Sequence, residues 1–276
     1  MVDTQVITFY DRHPISAQQI LDKLRLAGRP SDGLTAADLW PHDQDHYGGL
    51  DANDALAARA GVGAGTRVLD LCAGLCGPAR YNVATRGCRV VALELNAHRA
   101  AGARQLNTLV GLDDRITVVQ GDATAPPFGD DVFDVVWSQE AFLHIADKQR
   151  LLASARRVLK PGGRIAFTDW IAGPALTAMD RQLMDEGIAA KAIHSSHEYA
   201  QLLAAAGFSD ISRDDLSAAW RPILEVRLQM YRRLREEAQR ATCGGDPHAD
   251  YVRFYERFVA LVASGALGGA RFIAVA

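Results

Sequence analysis

Residues 68–78 read VLDLCAGLCGP, a short apolar run followed at once by a turn of small residues. A continuous run of Val and Leu is typical of a buried parallel strand. Small residues after such a strand let the backbone come close to a ligand. Against the dinucleotide-binding pattern G-x-G-x-x-G, this turn places Cys72, Gly74 and Gly77 at the three key positions. Two of the three pattern positions are Gly, which indicates a nucleotide-binding type of turn but does not identify the ligand.

The same alternation of apolar run and helical sequence continues along the chain. Further strands are predicted at Val90–Leu93, Ile116–Val119, Phe133–Trp137 and Arg164–Thr168. Helices are predicted between them at Pro78–Thr85, Ala97–Leu109 and Lys148–Leu159, with Lys160–Gly163 as a turn. Five such units in order predict an α/β fold with a doubly wound sheet and right-handed crossovers.

The two ends of the chain have a different pattern. Before the first strand, the sequence predicts a helix at Ser16–Leu26, a loop at Arg29–Leu50 and a short helix at Ala52–Ala60. After the fifth strand, it predicts a helix at Glu198–Ala206, a strand at Phe208–Leu216, helices at Arg221–Arg240 and Tyr251–Val262, and a closing strand at Ala270–Val275 after Gly268 and Gly269. We therefore expect an N-terminal helical lid segment over residues 1–60 and a main domain over 61–276. Helical cover is expected at roughly 176–206 and 218–264.

Composition excludes several classes of protein. The 276 residues are 49 % hydrophobic with a net charge of −3, which argues against disorder and against nucleic-acid binding by the whole chain. No run of about 18 apolar residues predicts a membrane span, and we expect no secretory signal. Cys72, Cys76, Cys88 and Cys243 match no zinc spacing and are interpreted as small core residues in a reducing cytoplasm. The chain is compatible with a homo-oligomer.

Acidic residues close three successive strands. Asp70 ends the first strand, Glu94 the second, and Asp122 follows the third. Glu94 lies 20 residues after Gly74, where a carboxylate accepts protons from ribose hydroxyls (94 − 74 = 20). The turn has no Arg or Lys to neutralise a pyrophosphate. Three acids without a phosphate partner indicate a cationic, phosphate-free nucleoside rather than NAD, as in a sulfonium nucleoside.

At this point the sequence resembles the class I S-adenosylmethionine-dependent methyltransferases, closely over residues 50–171. The stretches that carry the resemblance are Leu69–Gly74, Glu94, Gly121–Ala123, Phe133–Val136 and Arg157–Gly163. The resemblance implies a Rossmann-like, seven-stranded sheet whose last strand is antiparallel. Cys72 and Cys76 depart from the family pattern, because Gly normally fills these positions and a positive φ is unfavourable for Cys. Glu94 replaces the commoner Asp.

The resemblance also implies roles for residues that bind S-adenosylmethionine. Asp70, Ala73 and Gly74 would line its methionine part. Glu94 would hold the ribose hydroxyls, and Leu95 would pack on the adenine. The remaining positions are Asp122 for the adenine amine, Ala123 for the ring edge, Gln139 near the ribose and sulfonium, and Tyr47 in a loop that closes over the donor.

Three residues are candidates for catalysis. His144 follows the fourth strand and is a candidate general base, because an ordinary histidine pKa lies near neutral pH; the alternative is a hydrogen-bonded pocket histidine. Tyr47 is either a lid residue near the transferred methyl group or an ordinary loop aromatic. Glu140 is either a second base or cation-binding group, or a structural ion-pair partner. No metal is expected, although His42, Asp43, Asp45 and His46 lie close together in sequence.

Within the family the chain is most similar to small-molecule methyltransferases of the sarcosine/dimethylglycine, phosphoethanolamine and natural-product type. Gly77–Arg80, Ser138–His144 and His42–Gly49 carry this similarity. It implies methyl transfer to N, O or C of a small-molecule acceptor, with S-adenosylhomocysteine as product. The alternatives are a non-methylating role on the same fold (a rearrangement or a binding module) and, less favoured, a nicotinamide-dependent dehydrogenase. The arginine-rich helix Arg221–Arg240 indicates either capture of an anionic acceptor or, preferably, a solvated face.

Overall fold

The structure is a computed structural model that describes residues 4–11, 13, 15–29, 33–241 and 249–276, with only the backbone for 237–241. Within these ranges the strands are β1 (Arg67–Leu71), β2 (Arg89–Glu94), β3 (Ile116–Gln120), β4 (Phe133–Gln139), β5 (Leu159–Ala172), β6 (Ser209–Asp215) and β7 (Leu267–Val275). They form one sheet in the order β3-β2-β1-β4-β5-β7-β6. The strands from β3 to β5 are parallel, whereas β7 is antiparallel to β5 and β6. The predicted Rossmann-like, doubly wound sheet with an antiparallel last strand is confirmed.

Helices cover both faces of this sheet. In chain order they are α1 (Thr4–Asp11), α2 (Ala17–Leu26), α3 (Ala36–Asp43), α4 (Gly49–Ala60), α5 (Gly77–Arg86), α6 (Ala97–Leu109), α7 (Lys148–Val158), α8 (Ala178–Ile188), α9 (Ser196–Ala205), α10 (Ser217–Ala241) and α11 (Ala249–Ala263). One face packs on α7 and α9, and the other on α4 and α5. The pair α10 and α11 forms the predicted helical insertion before the last strand. No described helix combines the length and hydropathy needed to cross a bilayer.

The α7 helix illustrates how local sequence fixes one layer. Asp147 caps it by accepting a hydrogen bond from the Arg150 N–H. Leu151, Ala155 and Val158 then recur at helical spacing and are fully buried against the sheet. Each buried leucine or valine of this kind stabilises the fold by about 1.5–3 kcal/mol relative to an exposed one. The apolar stripe therefore fixes which side of α7 faces β4 and β5.

Two strands differ from the prediction. The Lys160–Gly163 stretch, predicted as a turn, lies inside β5 as an irregularity where the register against β4 shifts and Gly162 has a φ of 77°. The last strand begins at Leu267, so Gly268 and Gly269 belong to it and do not precede it. Its glycines have a packing cause, because the Trp220 ring of α10 occupies the space that a Cβ at position 269 would need. Gly269 therefore allows close packing against Trp220, and it does not end the strand.

The predicted loop at Arg29–Leu50 is wrong, because it contains α3 and the start of α4. The α3 helix begins with a capping box, in which the side chains of Thr35 and Asp38 each accept a hydrogen bond from the other residue's backbone N–H. Pro41 lies inside this helix. Helices α1 and α8 lie within the segments predicted as helical lid and helical cover, although no bounds were predicted for either helix. Within the predicted cover at 176–206, α9 instead places Tyr199 in the core of the sheet.

A methyl group at position 269 is expected to destabilise the junction between α10 and β7. Gly269→Ala forces the Cβ into the Trp220 ring, and overpacking of this kind costs about 1–3 kcal/mol. Denaturant unfolding of the purified protein measures the loss. Gly63→Ala is the matched control, because a Cβ there meets no atom within 4 Å. Equal stability of the two variants would contradict this account of the junction.

Candidate active site

A cavity of about 500 Å³ opens at the carboxyl ends of the central strands. In an open α/β sheet this is the edge where ligands bind. The structure brings all eleven predicted site residues to its wall, which are Tyr47, Asp70, Ala73, Gly74, Glu94, Leu95, Asp122, Ala123, Gln139, Glu140 and His144.

The turn after β1 adopts the strained conformation that its sequence makes unfavourable. Cys72 and Cys76 have φ values of 60° and 62°, in the left-handed region where Gly is preferred. The Ala73 N–H donates to the Leu93 carbonyl at 3.1 Å, which ties the turn to the end of β2. Cys76 and Cys88 are buried, whereas Cys72 lies at the cavity wall; Cys243 lies outside the described residues.

Glu94 is a buried carboxylate that the turn itself holds in place. One of its oxygens accepts from the Gly74 N–H and the other from the Asn96 N–H, each at 2.8 Å. Burial raises its pKa, and the two backbone hydrogen bonds oppose that rise. Each oxygen has a remaining lone pair, so the group can still accept hydrogen bonds from a ligand.

The other two strand-end acids differ in their environment. Burial, with a further contribution from the charge of Glu94, raises the pKa of Asp70 to about 8. Asp122 is exposed at the rim, where one oxygen accepts from the backbone N–H and the hydroxyl of Thr124 at 2.8 and 2.9 Å. Since β1, β2 and β3 are neighbours, the three carboxylates line one side of the cavity.

Gln139 presents an unused donor to the cavity. The indole N–H of Trp137 donates to its side-chain oxygen at 3.2 Å, which fixes the orientation of the amide. Its Nε2 is buried and has no hydrogen-bond partner among the described residues. A buried polar group without a partner is costly, so this amide is suited to a ligand acceptor atom.

Glu140 lies at the end of β4 in a conformation with a φ of 46°. One oxygen accepts from the Thr168 hydroxyl at 2.5 Å, and the other accepts from the Tyr47 N–H at 2.7 Å. Burial raises the pKa of this carboxyl to about 7, although both hydrogen bonds favour the charged form. A pKa of about 7 makes Glu140 a candidate proton acceptor at neutral pH.

His144 was predicted to be a base because an ordinary histidine has a pKa near neutral pH. In the structure the pKa of His144 is lower. Burial lowers that pKa to about 4. Both ring nitrogens are engaged, Nδ1 with the Ala189 carbonyl at 3.0 Å and Nε2 with the Tyr10 hydroxyl at 2.8 Å. Because a carbonyl only accepts, Nδ1 carries the proton and Nε2 accepts from Tyr10. The geometry favours the alternative interpretation, a neutral histidine that positions its neighbours.

Helix α1 lies over the cavity, and polar contacts hold it there. The Asn96 amide donates to Asp11 at 2.8 Å and to the Ile7 carbonyl at 3.3 Å. The Arg99 guanidinium lies 4.8 Å from the centre of the Tyr10 ring. Tyr10 and Arg99 were not identified from the sequence, since only the fold brings α1 to α6. The Asn before α6 was the one visible signal, as a helix N-cap.

The acidic and histidine-rich segment before α4 forms the wall beside α1 and the turn after β1. Asp43 and Arg80 form an ion pair at 3.0 Å, and neither side chain is exposed to solvent. Asp45 pairs with Arg99 at 3.0 Å, and His46 contacts Gln44 at 3.0 Å. Among the described residues no cluster of three or more metal-ligating side chains occurs.

Tyr47 is a buried aromatic at the junction of this wall with the insertion. Its ring stacks on Trp220 at 5.1 Å and meets Trp170 edge-on at 5.2 Å. Its N–H is the donor that holds Glu140. The residue thus links the N-terminal segment, β5 and α10 around one point of the cavity.

Comparison with known proteins agrees with this geometry. Residues 69–167 match a family described as a methyltransferase domain. The glycine/sarcosine/dimethylglycine N-methyltransferase of Actinopolyspora halophila is 35 % identical over 162 residues, 59 % of this chain and 29 % of the relative. The 27-O-demethylrifamycin SV methyltransferase of Amycolatopsis mediterranei is 31 % identical, over 67 % of this chain and 69 % of that enzyme.

A solved structure has the same architecture. A putative sarcosine dimethylglycine methyltransferase from Galdieria sulphuraria aligns with a TM-score of 0.70 at 26 % identity, covering 82 % of this chain and 85 % of that one. The fold, the strand-end acids and these similarities define a nucleoside-dependent group-transfer protein of the α/β class. The chain belongs to the S-adenosylmethionine-dependent methyltransferase family.

The hydrogen bond from Tyr10 to His144 is expected to hold α1 over the cavity. Tyr10→Phe removes it and leaves the ring contacts, so α1 should open more often by about 1 kcal/mol, or roughly 5-fold. Native-state amide exchange of residues 5–11 measures this opening. Tyr251→Phe, at an exposed tyrosine of α11, is the control. An unchanged amide-exchange rate in Tyr10→Phe would show that this hydrogen bond does not hold α1 over the cavity.

Proposed function

We propose that this protein moves a methyl group from S-adenosylmethionine to an N, O or C atom of a small-molecule acceptor. The observation that carries the proposal is the row of three acidic side chains, Asp70, Glu94 and Asp122, beside the turn after β1. The pKa of Asp70 is raised to about 8 in the protein without a ligand, and the positive charge of a bound sulfonium nucleoside would lower it and favour the carboxylate. A cationic nucleoside without phosphates offers each acid a partner: its charged amino-acid part for Asp70, its ribose hydroxyls for Glu94 and its adenine amine for Asp122. A dinucleotide would bring its pyrophosphate to this acidic edge, which disfavours the dehydrogenase alternative.

Several features fit the donor. Glu94 is held by backbone N–H groups and has lone pairs left for ribose hydroxyls. Gly74 has a φ of 55°, which favours glycine, and its N–H donates to the Glu94 carboxylate. The unpartnered Nε2 of Gln139 supplies a donor at the floor. In this proposal Leu95 and Ala123 contact the adenine, Asp122 accepts from its amine, and Ala73 and Asp70 line the methionine part.

When bound, S-adenosylmethionine supplies a methyl group already activated by its sulfonium. The chain must then hold the acceptor in line and exclude water. We propose that α1 and the segment up to Tyr47 act as the lid, with α10 and α11 as further cover. Positioning of this kind contributes up to about 7–11 kcal/mol to lowering a barrier.

Glu140 is the better candidate for the base where the acceptor must lose a proton. Its pKa of about 7 matches neutral pH, whereas that of His144 is about 4. A base should have a pKa near the operating pH, because it must be deprotonated and still hold a proton well. In this proposal His144 and Tyr47 orient groups around the acceptor and do not take its proton.

Asp122→Ala is expected to weaken S-adenosylmethionine binding about 10-fold without unfolding the protein, because one charged hydrogen bond is lost at the exposed rim. Calorimetric titration with S-adenosylmethionine, S-adenosylhomocysteine and NAD measures this. Asp114→Ala, an exposed acid near the start of β3, should keep the wild-type affinity. Wild-type affinity in Asp122→Ala would contradict its role, and binding of NAD alone would overturn the proposed function.

Turnover is expected to rise with pH through about 7 and then level off, because Glu140 accepts a proton only when ionised. Glu140→Gln should lose that limb of the profile and lower kcat by about 100-fold or more. Release of S-adenosylhomocysteine with a proton-losing acceptor reports the rate. Glu186→Gln, at an exposed glutamate of α8, is the control. A variant that keeps the wild-type profile would exclude Glu140 as the base.

A further inference from the structure

The arginines of α10 do not share one environment. Arg221 is exposed and pairs with Glu225 at 2.9 Å, while Arg232 pairs with Glu256 at 2.8 Å. Arg233 is exposed as well. Arg227 alone among these four turns inward and lines the cavity. A solvated helix face therefore accounts for the first three and not for Arg227.

Arg227 lies opposite the acidic edge. Asp70 and Glu94 lie at the ends of β1 and β2, and Asp122 follows β3. Helix α10 instead packs against β7, on the other side of the sheet. The Arg227 guanidinium lies 4.3 Å from the centre of the Tyr47 ring. The charged group thus lies where Tyr47 meets α10 and α11, and Tyr255 of α11 is a further neighbour.

No carboxylate of the described residues lies within ion-pair distance of this guanidinium. The two carboxylates whose charges act on Arg227 have other hydrogen-bond partners: Asp45 pairs with Arg99, and Glu140 accepts from the Thr168 hydroxyl and the Tyr47 N–H. Burial lowers the pKa of Arg227, but the neighbouring acids and the Tyr47 and Tyr255 hydroxyls raise it overall, so the group stays charged. A partly buried cation with donors to spare invites an anion.

Apolar side chains from several elements also line the cavity. Trp170, Phe258, Leu143 and Ile188 lie on its wall. We propose that the acceptor has an apolar body and one anionic group, a carboxylate or a phosphate, that Arg227 binds. This inference rests on the proposed function. The planar fork of arginine matches both oxyanions with two parallel hydrogen bonds, which gives direction as well as charge.

The test measures binding to the protein saturated with S-adenosylhomocysteine. The probes are hexanoate against its neutral isostere hexanamide, and hexyl phosphate against hexanol, which has the same chain without the charged group. The charged member of at least one pair should bind about 10- to 100-fold more tightly, as expected for hydrogen bonds between charged groups. The carboxylate arm and the phosphate arm distinguish the two kinds of acceptor.

Two variants assign the preference to one side chain. Arg227→Met should lose the preference for the charged probe and keep its affinity for S-adenosylhomocysteine. Arg233→Met, on the exposed face of the same helix, should keep both. Arg227→Lys retains the charge without the fork, and it should keep a preference weakened about 3- to 10-fold.

The outcomes separate this inference from the proposed function. A wild-type protein that binds S-adenosylhomocysteine and shows no preference for either charged probe overturns the role of Arg227. So does a preference that survives in Arg227→Met. If Arg227→Met loses S-adenosylhomocysteine binding through misfolding, Arg227→Lys decides by the same preference. A wild-type protein that binds no S-adenosyl ligand overturns the proposed function instead.

Discussion

The wall of the cavity depends on one buried ion pair. Asp43 ends α3 and Arg80 lies in the first turns of α5, and both side chains are fully buried. Asn107 of α6 completes the guanidinium's contacts at 2.8 Å. Loss of one partner in such a pair costs about 3–5 kcal/mol, because the other charge is left without compensation in the interior.

This pair brings the N-terminal segment against the turn after β1. The Asp43 carbonyl lies so close to Gly77 that a side chain there would overlap it. From this contact the chain runs on to Asp45 and Tyr47, which meet Arg99 and Glu140. The position of the candidate base is therefore set by an interaction made several residues earlier, on another face of the cavity.

The parts of the fold that the sequence predicts are those with local causes. Strands β1 to β5 are continuous apolar runs, and the strand-end acids follow from the rule that ligands bind where parallel strands end. The beginning of β7 was missed because Gly268 and Gly269 suggest a break, whereas their cause is the distant Trp220 ring. The capping box of α3 was present in the sequence but masked by Pro41.

The residues missed at the site have causes that lie far apart in sequence. Tyr10 and Arg227 reach the cavity only because α1 and α10 pack over it from opposite ends of the chain. The low pKa of His144 arises from burial, which depends on those same helices. A histidine after the fourth strand can be located from sequence, but its proton affinity cannot.

Asn96 joins two parts of the molecule, the end of β2 and helix α1. Its backbone N–H donates to Glu94, and its side-chain amide donates to Asp11 and to the Ile7 carbonyl of α1. Asn96 therefore makes both contacts. A displacement of α1 would remove two hydrogen-bond partners from Asn96, whose backbone N–H holds Glu94. In the proposed function, opening of α1 and binding of the ribose are therefore coupled through one residue.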